Sequence, residues 1–312
     1  MKPASFDYIR PQTLEELLAT LTDGDVLLAG GQSLLPDLNE RRRRARRLVD
    51  VNYVTGLDAC DFGGADSGQH RVVLGALTRH QDLAGRADAR AAVPVLSEAA
   101  RHVGHEAVRV RGTLGGSIAN ADSAAELPGV CVMLGAVARL RFPAGERIAD
   151  VASLARPGGL AEHEVITAVE LPALRPGEGW GFRELSRPGA YAFPLVTVAA
   201  TVLPGPGGMV AELRAAVTGA APAPYALSGE AAAGLVGARP SGPGGGEWAD
   251  AVADELAAAA DPQTDQYASA AYRRRIVRHL ARQAVADALR RTAPGGTAGS
   301  GTAGSGTAEA VA

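Results

Sequence analysis

Two paired-glycine segments constrain this chain more than any other feature. The first is Ala29-Gly30-Gly31-Gln32-Ser33-Leu34-Leu35-Pro36, which ends an apolar run begun at Val26. The second is Arg111-Gly112-Thr113-Leu114-Gly115-Gly116-Ser117-Ile118-Ala119-Asn120-Ala121-Asp122. Lacking Cβ atoms, paired glycines let the backbone approach a bulky anion and point successive amide N–H groups at it, which is chemistry for a diphosphate. Gln32 and Ser33 in the first segment, and Thr113 and Ser117 in the second, add side-chain donors for phosphate or for the polar edge of a ring. The two segments together predict one ligand clasped from two sides. Taken singly, either is equally a tight turn in a chain with 39 glycines. A P-loop and a Gly-x-Gly-x-x-Gly dinucleotide turn are both missing, so neither of those phosphate-binding folds is indicated.

The pattern around these segments predicts mixed α and β structure. Thr13-Leu14-Glu15-Glu16 has the form of a capping box, and Leu14, Leu17, Leu18 and Leu21 follow at helical spacing. Val26–Ala29 and Leu48–Val51 read as strands with a glycine turn between them, and Val72–Ala76 as another strand, with Thr78 as the cap of a short helix. Helical patterns cover Ala91–Val103 and Ala124–Leu134, and strands are predicted at Ala138–Phe142 and Glu164–Leu171. Pro172, Pro176 and Gly177 break the pattern and suggest a boundary, placing one domain at 1–175 and a smaller one at 176–292. In the smaller domain, strands at Gly181–Leu185, Leu195–Leu203 and Val210–Thr218 precede helices at Trp248–Ala260 and Tyr267–Arg291, the order of an α+β layer. The glycine- and proline-dense stretch Gly237–Gly246 and the repetitive tail 293–312 are expected to have no fixed structure.

Composition narrows the functional classes. A net charge of -3 gives no global field to gather nucleic acid, and no window is apolar for long enough to span a membrane. With no signal-peptide pattern at the amino terminus, a cytoplasmic location is expected. The two cysteines, Cys60 and Cys131, are too far apart in sequence for a zinc site, an iron–sulfur cluster or a redox dithiol, so no metal site is expected on this chain. No catalytic triad or carboxylate pair stands out, and no catalytic residue is assigned.

The paired segments, taken together, resemble the two FAD loops of the molybdenum hydroxylase flavoprotein subunits, the family that includes the medium subunits of carbon monoxide, xanthine and aldehyde dehydrogenases. Phe6-x-Tyr8-x-Arg10-Pro11, Leu48-Val49-Asp50-Val51, Ser186-Arg187-Pro188-Gly189-Ala190-Tyr191-Ala192-Phe193 and Tyr272-Arg273-Arg274 extend the resemblance to about residues 3–290. It implies an α+β chain with a two-lobed FAD-binding domain of the vanillyl alcohol oxidase (PCMH) type and a smaller flavoprotein carboxy-terminal domain. Ala29, Gly30, Gly31, Gln32, Ser33 and Leu34 would hold the pyrophosphate, chiefly through backbone amides, and Thr113, Leu114, Gly115, Gly116 and Ser117 would complete the clasp. Glu126 would accept from the ribitol hydroxyls, Val165 and Ile166 would flank the adenine, and Tyr191 would lie near the isoalloxazine. Gln32, Ser123 and Val110 depart from the histidine, proline and asparagine common in the family. FAD is expected to be noncovalent, since no histidine or cysteine marks a covalent link.

The resemblance also implies an oxidoreductase complex. Substrate would be oxidised at a molybdenum cofactor on a large partner subunit, and electrons would reach this FAD through 2Fe–2S clusters on a small one, in a dimer of heterotrimers. The alternatives are a stand-alone flavin oxidoreductase with its own acid and base, and an assembly subunit that has lost its flavin. Other features carry bland readings beside sharper ones. Arg41–Arg44 with Arg46 and Arg47 read as a solvated face, or else as a contact with a partner subunit. His102 and His105 lack a third ligand at metal-site spacing and read as surface or capping residues. Glu126 is equally an ordinary first-turn helix acid, and Phe193 a core residue of a strand.

Overall fold

The computed structural model describes residues 2–63, 71–186, 193–241 and 243–292. The chain begins with β1 (Asp7–Ile9) and α1 (Leu14–Thr20). Thr13 caps α1 as its sequence predicts, its hydroxyl accepting from the Glu16 N–H at 3.1 Å, while the Glu16 carboxylate reaches one residue further back, to the Gln12 N–H at 2.7 Å. Then come β2 (Asp25–Leu28), α2 (Leu34–Asn39) and β3 (Arg47–Asp50), and the strands form a parallel three-stranded sheet in the order β1-β3-β2. Parallel neighbours cannot be joined by a tight turn. The glycine turn expected between these strands is therefore corrected to a crossover: the chain leaves β2 through Ala29–Ser33, runs through α2 and returns to β3. Leu17 and Val49, fully buried, centre the core of this lobe.

Three of the six arginines in the run are paired within this lobe. Arg46 and Arg47 pair with Asp25, whose side chain is almost completely buried, and Arg42 pairs with Asp37 and Glu40. The Asp25 carboxyl is held below the usual carboxylate range by Arg47 and Thr22, although burial opposes them.

A second lobe is built on the five-stranded antiparallel sheet β4-β5-β8-β6-β7. Its chain order is β4 (Cys60–Asp61), β5 (Arg71–Gly75), α3 (His80–Gly85), α4 (Ala87–Ala92), α5 (Pro94–His102), α6 (Glu106–Arg111), α7 (Leu114–Asn120), α8 (Glu126–Met133), β6 (Val137–Phe142), β7 (Gly145–Asp150), α9 (Val151–Leu154) and β8 (Val165–Pro172). Three local expectations change. Thr78 does not cap α3: Arg79 holds that position, and the Thr78 hydroxyl donates to the Gly75 carbonyl at 2.7 Å. The helix expected over Ala91–Val103 divides at Val93, because Pro94 cannot continue a helix hydrogen-bond ladder and instead starts α5. The second glycine segment is helical rather than a loop, since Leu114–Asn120 forms α7.

The third sheet, β12-β11-β10-β9, is antiparallel. It consists of β9 (Gly179–Ser186), β10 (Pro194–Pro204), β11 (Val210–Thr218) and β12 (Tyr225–Ala226), followed by α10 (Gly229–Leu235), α11 (Gly246–Ala258) and α12 (Ala270–Arg291). One face of this sheet packs on α11 and α12 through Val196, Val198, Leu213 and Val217. The other joins the core beneath α5 and α8 through Phe182, Ala199 and Ala216. Gly129 of α8 lies flush against Thr218, and the Gly219 N–H donates to the Ser123 carbonyl at 2.8 Å, so the turn before α8 is tied to the third sheet. Arg273, buried in α12, donates to the Leu195 carbonyl at 2.7 Å and to the Gly219 carbonyl at 2.9 Å, which ties the long helix to the ends of β10 and β11. The Gly237–Gly246 segment, expected to lack fixed structure, is held wherever it is described. The Gly237 N–H bonds the Val210 carbonyl at 2.8 Å, the Val210 N–H bonds the Ala238 carbonyl at 2.9 Å, and Pro243–Gly245 make a short 3-10 turn. The tail 293–312 lies outside the described residues.

Helix α12 reaches the sheet because β9 offers it bare backbone. A Cβ at Gly179 or Gly181 would collide with the carbonyl oxygens of Ala288 and Ala284. Backbone on both sides leaves no flexible side chain to give way. Gly181→Ala is expected to lower unfolding free energy by about 3 kcal/mol, the upper end of overpacking penalties, as measured by urea denaturation.

Candidate functional site: a cavity between the two glycine segments

The two glycine segments meet directly. A Cβ at Gly30 would lie 2.5 Å from the Arg111 carbonyl oxygen and 2.8 Å from the Gly112 Cα, so only glycine permits this contact. A polar relay holds it in place. Tyr8 donates to Asp50 at 2.6 Å; Asp50 accepts from the Asn52 side-chain amide at 2.6 Å; and the same amide donates to the Ala29 carbonyl at 2.8 Å. Arg79 then closes the relay, with one guanidinium nitrogen on the Asn52 Oδ1 at 2.7 Å and another on the Arg111 carbonyl at 2.6 Å. The hydrogen bond to Asp50 pushes the Tyr8 phenol up to about 12, so it remains a donor at neutral pH. Tyr8, Asp50, Asn52 and Arg79 thus connect the first sheet to both glycine segments.

A cavity of about 640 Å³ lies along this junction, a size suited to an organic cofactor. Ala29, Gly30, Gly31, Gln32, Ser33 and Leu34 line one wall, and Thr113, Gly115, Gly116 and Ser117 line another. Glu126 stands at the start of α8, with Val165 and Ile166 on β8. Leu114 is fully buried in the core of the second lobe and does not line the cavity. Tyr191 lies outside the described residues; beside it, Phe193 is 61% exposed and lines the cavity, so it is not a core residue.

The two segments are chemically unequal. Gly31 has φ +72°, the left-handed conformation that favours glycine, and among the described residues no protein acceptor takes the N–H groups of Gly31, Gln32 or Ser33. The Gln32 amide donates to the Gly30 carbonyl at 3.1 Å and braces the turn. In the second segment every amide from Leu114 to Ser117 is already used. Leu114 bonds the Thr78 carbonyl at 3.0 Å, Gly115 the Ala76 carbonyl at 2.9 Å, Gly116 the Thr113 hydroxyl at 3.2 Å and Ser117 the Thr113 carbonyl at 3.0 Å. Its glycines serve close packing instead: a Cβ at Gly115 would meet Ala76 at 2.7 Å, and one at Gly116 would meet the Thr113 hydroxyl at 2.6 Å. What this wall offers a ligand is hydroxyl groups and a smooth surface.

Glu126 is only 7% exposed and has no cation beside it among the described residues. Burial pushes its carboxyl up to about 8, with further repulsion from Glu184 and Asp122 and only its own backbone amide opposing. Glu184 reaches in from β9, hydrogen-bonded by Ser186 at 2.6 Å and by Thr197 at 3.4 Å, and its carboxyl is also raised by burial. Sequence reasoning missed Glu184, His80, Asn52 and Arg79. None belongs to a short motif, and only the folded geometry brings them to the site.

The raised Glu126 pKa has a definite sign in stability. Between the ordinary carboxylate value and about 8 the folded state holds a proton that the unfolded state has released, so this residue's contribution falls as pH rises through that window and levels off above it. Glu126→Gln should remove that slope. The stability of the flavin-free variant relative to the parent, measured by denaturation, is expected to rise steadily from pH 5 to pH 8; a flat difference would mean that Glu126 is ionised throughout. Asn52→Ala, which strips the relay of its centre, should cost about 2 kcal/mol in the same assay.

Comparison with known proteins agrees with this geometry. Residues 4–174 match the FAD binding domain in molybdopterin dehydrogenase, and residues 180–288 match the CO dehydrogenase flavoprotein C-terminal domain. The 6-hydroxypseudooxynicotine dehydrogenase complex subunit alpha of Paenarthrobacter nicotinovorans is 35% identical, with 94% of this chain and 98% of that protein aligned. The carbon monoxide dehydrogenase medium chain of Hydrogenophaga pseudoflava is 33% identical over 71% of this chain and 77% of its own length. A solved structure of carbon monoxide dehydrogenase from the same organism superposes with a TM-score of 0.86 at 30% identity, covering 94% of this chain and 100% of that one. Two glycine segments joined back to back, a PCMH-type pair of lobes and a third antiparallel sheet thus occur together in a chain that belongs to the FAD-binding flavoprotein subunits of the molybdenum hydroxylases, oxidoreductases of the carbon monoxide dehydrogenase kind.

Proposed function

We propose that this chain holds FAD noncovalently in the cavity between its glycine segments and serves as the electron-transfer subunit of a molybdenum hydroxylase. The observation that carries the proposal is the set of amides at Gly31, Gln32 and Ser33 that no acceptor among the described residues takes, in one cavity with the buried carboxyl of Glu126, which has no cation beside it among those residues. A ligand with an anionic linker and a hydroxylated chain would suit both sets, the amides as donors to the linker and the carboxyl as a partner for the hydroxyls. The residues present therefore fit FAD. The free amides of the first segment would hold the pyrophosphate. The Thr113 hydroxyl, whose oxygen already accepts from Gly116, keeps its hydrogen free to donate. Ser117 adds a second hydroxyl, Glu126 would receive the ribitol hydroxyls, and Val165 and Ile166 would pack against the adenine. Tyr191 is assigned to the isoalloxazine by family resemblance alone.

Bound FAD supplies the redox chemistry, taking electrons from the iron–sulfur clusters of a partner and passing them to an acceptor. The chain's own share is to bind, orient and shield the cofactor. Family resemblance assigns substrate oxidation to a molybdenum-binding large subunit and electron delivery to a small 2Fe–2S subunit, and the relatives' names, a complex subunit alpha and a medium chain, fit a chain that works with partner subunits. A dimer of such heterotrimers in the cytoplasm is the assembly proposed; no helix among the described residues is long and apolar enough to cross a membrane. The division into residues 1–175, 176–292 and a tail 293–312 is supported by family matches that stop on either side of the first boundary.

Purified full-length protein is expected to show flavin absorbance and to release FAD, not FMN, on acid treatment. Gly116→Trp fills the cavity beside Thr113 and should bring bound flavin below about a tenth of the parent level, a loss of more than 1.4 kcal/mol in binding. A parent chain that stays colourless after incubation with FAD, both alone and co-purified with its partner subunits, would overturn the assignment.

A further inference from the structure

His80 borders the cavity and is buried, at 4% exposure, and it takes no part in the cofactor contacts named above. It is the first residue of α3, and its ring is enclosed by the second glycine segment. A Cβ at Gly112 would lie 2.6 Å from Nδ1, and Nε2 is 3.1 Å from the Ser117 hydroxyl oxygen. Nδ1 has no hydrogen-bond partner among the described residues. Burial pulls the imidazole down to about 4, with the Arg79 and Arg109 cations adding to the effect and the Thr113 backbone opposing, so the ring is neutral at physiological pH.

A neutral imidazole carries one N–H and one bare nitrogen, and the two arrangements differ in what they leave Ser117 to do. With the proton on Nδ1, a buried N–H would face no acceptor, and Nε2 would consume the Ser117 hydroxyl hydrogen. With the proton on Nε2, the ring donates to the Ser117 oxygen and only a lone pair goes unmet. Orphaned buried N–H groups are the rarer defect, so the second arrangement is favoured. It leaves the Ser117 hydrogen with no partner among the described residues, in a side chain that lines the cavity.

We propose that His80 is a positioning residue that donates from Nε2 to Ser117 and so fixes the serine hydroxyl as a hydrogen-bond donor toward the flavin cofactor. The inference rests on the FAD reading. A serine hydroxyl can rotate, and a buried histidine bonded to its oxygen restricts that freedom. The pair amounts to a donor assembled from two residues, one of them buried and invisible to motif reading.

The experiment is a double-mutant cycle on the flavin-stripped full-length chain, with FAD affinity read by quenching of flavin fluorescence. Ser117→Ala and His80→Phe are each expected to weaken FAD binding about tenfold, and the double variant no further than about twofold beyond either. His80→Gln can place an amide donor near the Nε2 position and should recover most of the affinity that His80→Phe loses, which a purely structural role would not predict. If Ser117→Ala costs the same factor in both backgrounds, or if the glutamine variant binds as weakly as the phenylalanine one, the proposal fails. Should His80→Phe not fold, imidazole nitrogen NMR of the parent chain decides the matter, with the His80 signals identified by their loss in His80→Gln. A protonated Nε2 supports the proposal, and a protonated Nδ1 overturns it. A parent chain that binds no FAD at all would sink the cofactor assignment and this inference with it, an outcome separate from additive behaviour in a chain that does bind.

Discussion

The contact of Gly30 with Arg111 and Gly112 is the joint on which the site depends. It sets backbone against backbone between two lobes, and such a contact tolerates no side chain and gains little from apolar burial. The polar relay compensates. Asn52 and Arg79 each bond a carbonyl from one glycine segment and bond each other, so each segment is positioned by a neutral amide or a guanidinium instead of by packing. Each such bond contributes only about 1 kcal/mol net, but leaving its partner unmade costs more, which makes the relay hard to remove piecemeal. The motifs at Tyr8 and Asp50 gain a physical meaning here: they anchor the relay in the first sheet.

The third sheet is part of the site as well as a neighbouring layer. Ser123 and Ala124, just before α8, accept from Gly219 and Thr218, so the turn that presents Glu126 is fixed by β11 and the residue after it. Burial keeps Glu126 from ionising freely, and Glu184, arriving from the same sheet, adds repulsion. Building an acid into such surroundings lowers the stability of the unliganded chain, and a cofactor that occupies the space would recover part of that loss by mass action.

Much of this was legible in the sequence, and the failures have identifiable causes. Strands and long helices were readable because apolar periodicity reports directly on which face is buried, as for Val196, Val198 and Val202 on β10. The helix α7 was not. Two successive glycines oppose helix formation by about 1 kcal/mol each, and only the close approach of Ala76 and Thr113, invisible before folding, explains them. The parallel pairing of β1, β2 and β3 was hidden for a similar reason, since pairing partners are set by crossover geometry and not by local pattern. The arginine run reads in sequence as a solvated face or a partner contact, and nothing local shows that Asp25, far from it along the chain, takes up Arg46 and Arg47. The paired glycines themselves were informative because a backbone without Cβ atoms has few reasons to be there twice.

The two glycine segments look interchangeable in sequence, but the structure gives them opposite duties, and that asymmetry orients whatever binds. One wall has amide hydrogens to give, at Gly31, Gln32 and Ser33, with no negative group among those three residues. The opposite one has spent its amides on its own helix and on Ala76 and Thr78, and offers hydroxyls. Further along, Glu126 supplies a carboxyl that burial inclines to hold its proton near neutrality. An anionic linker is attracted to the first wall and repelled by the acidic end whenever Glu126 or Glu184 is ionised, while uncharged hydroxyls meet no such penalty there. A long ligand with charge in its middle and hydroxyls on one arm can therefore match the free amides and the buried carboxyl in one direction only. Orientation in this cavity is set by which backbone groups the fold has already used.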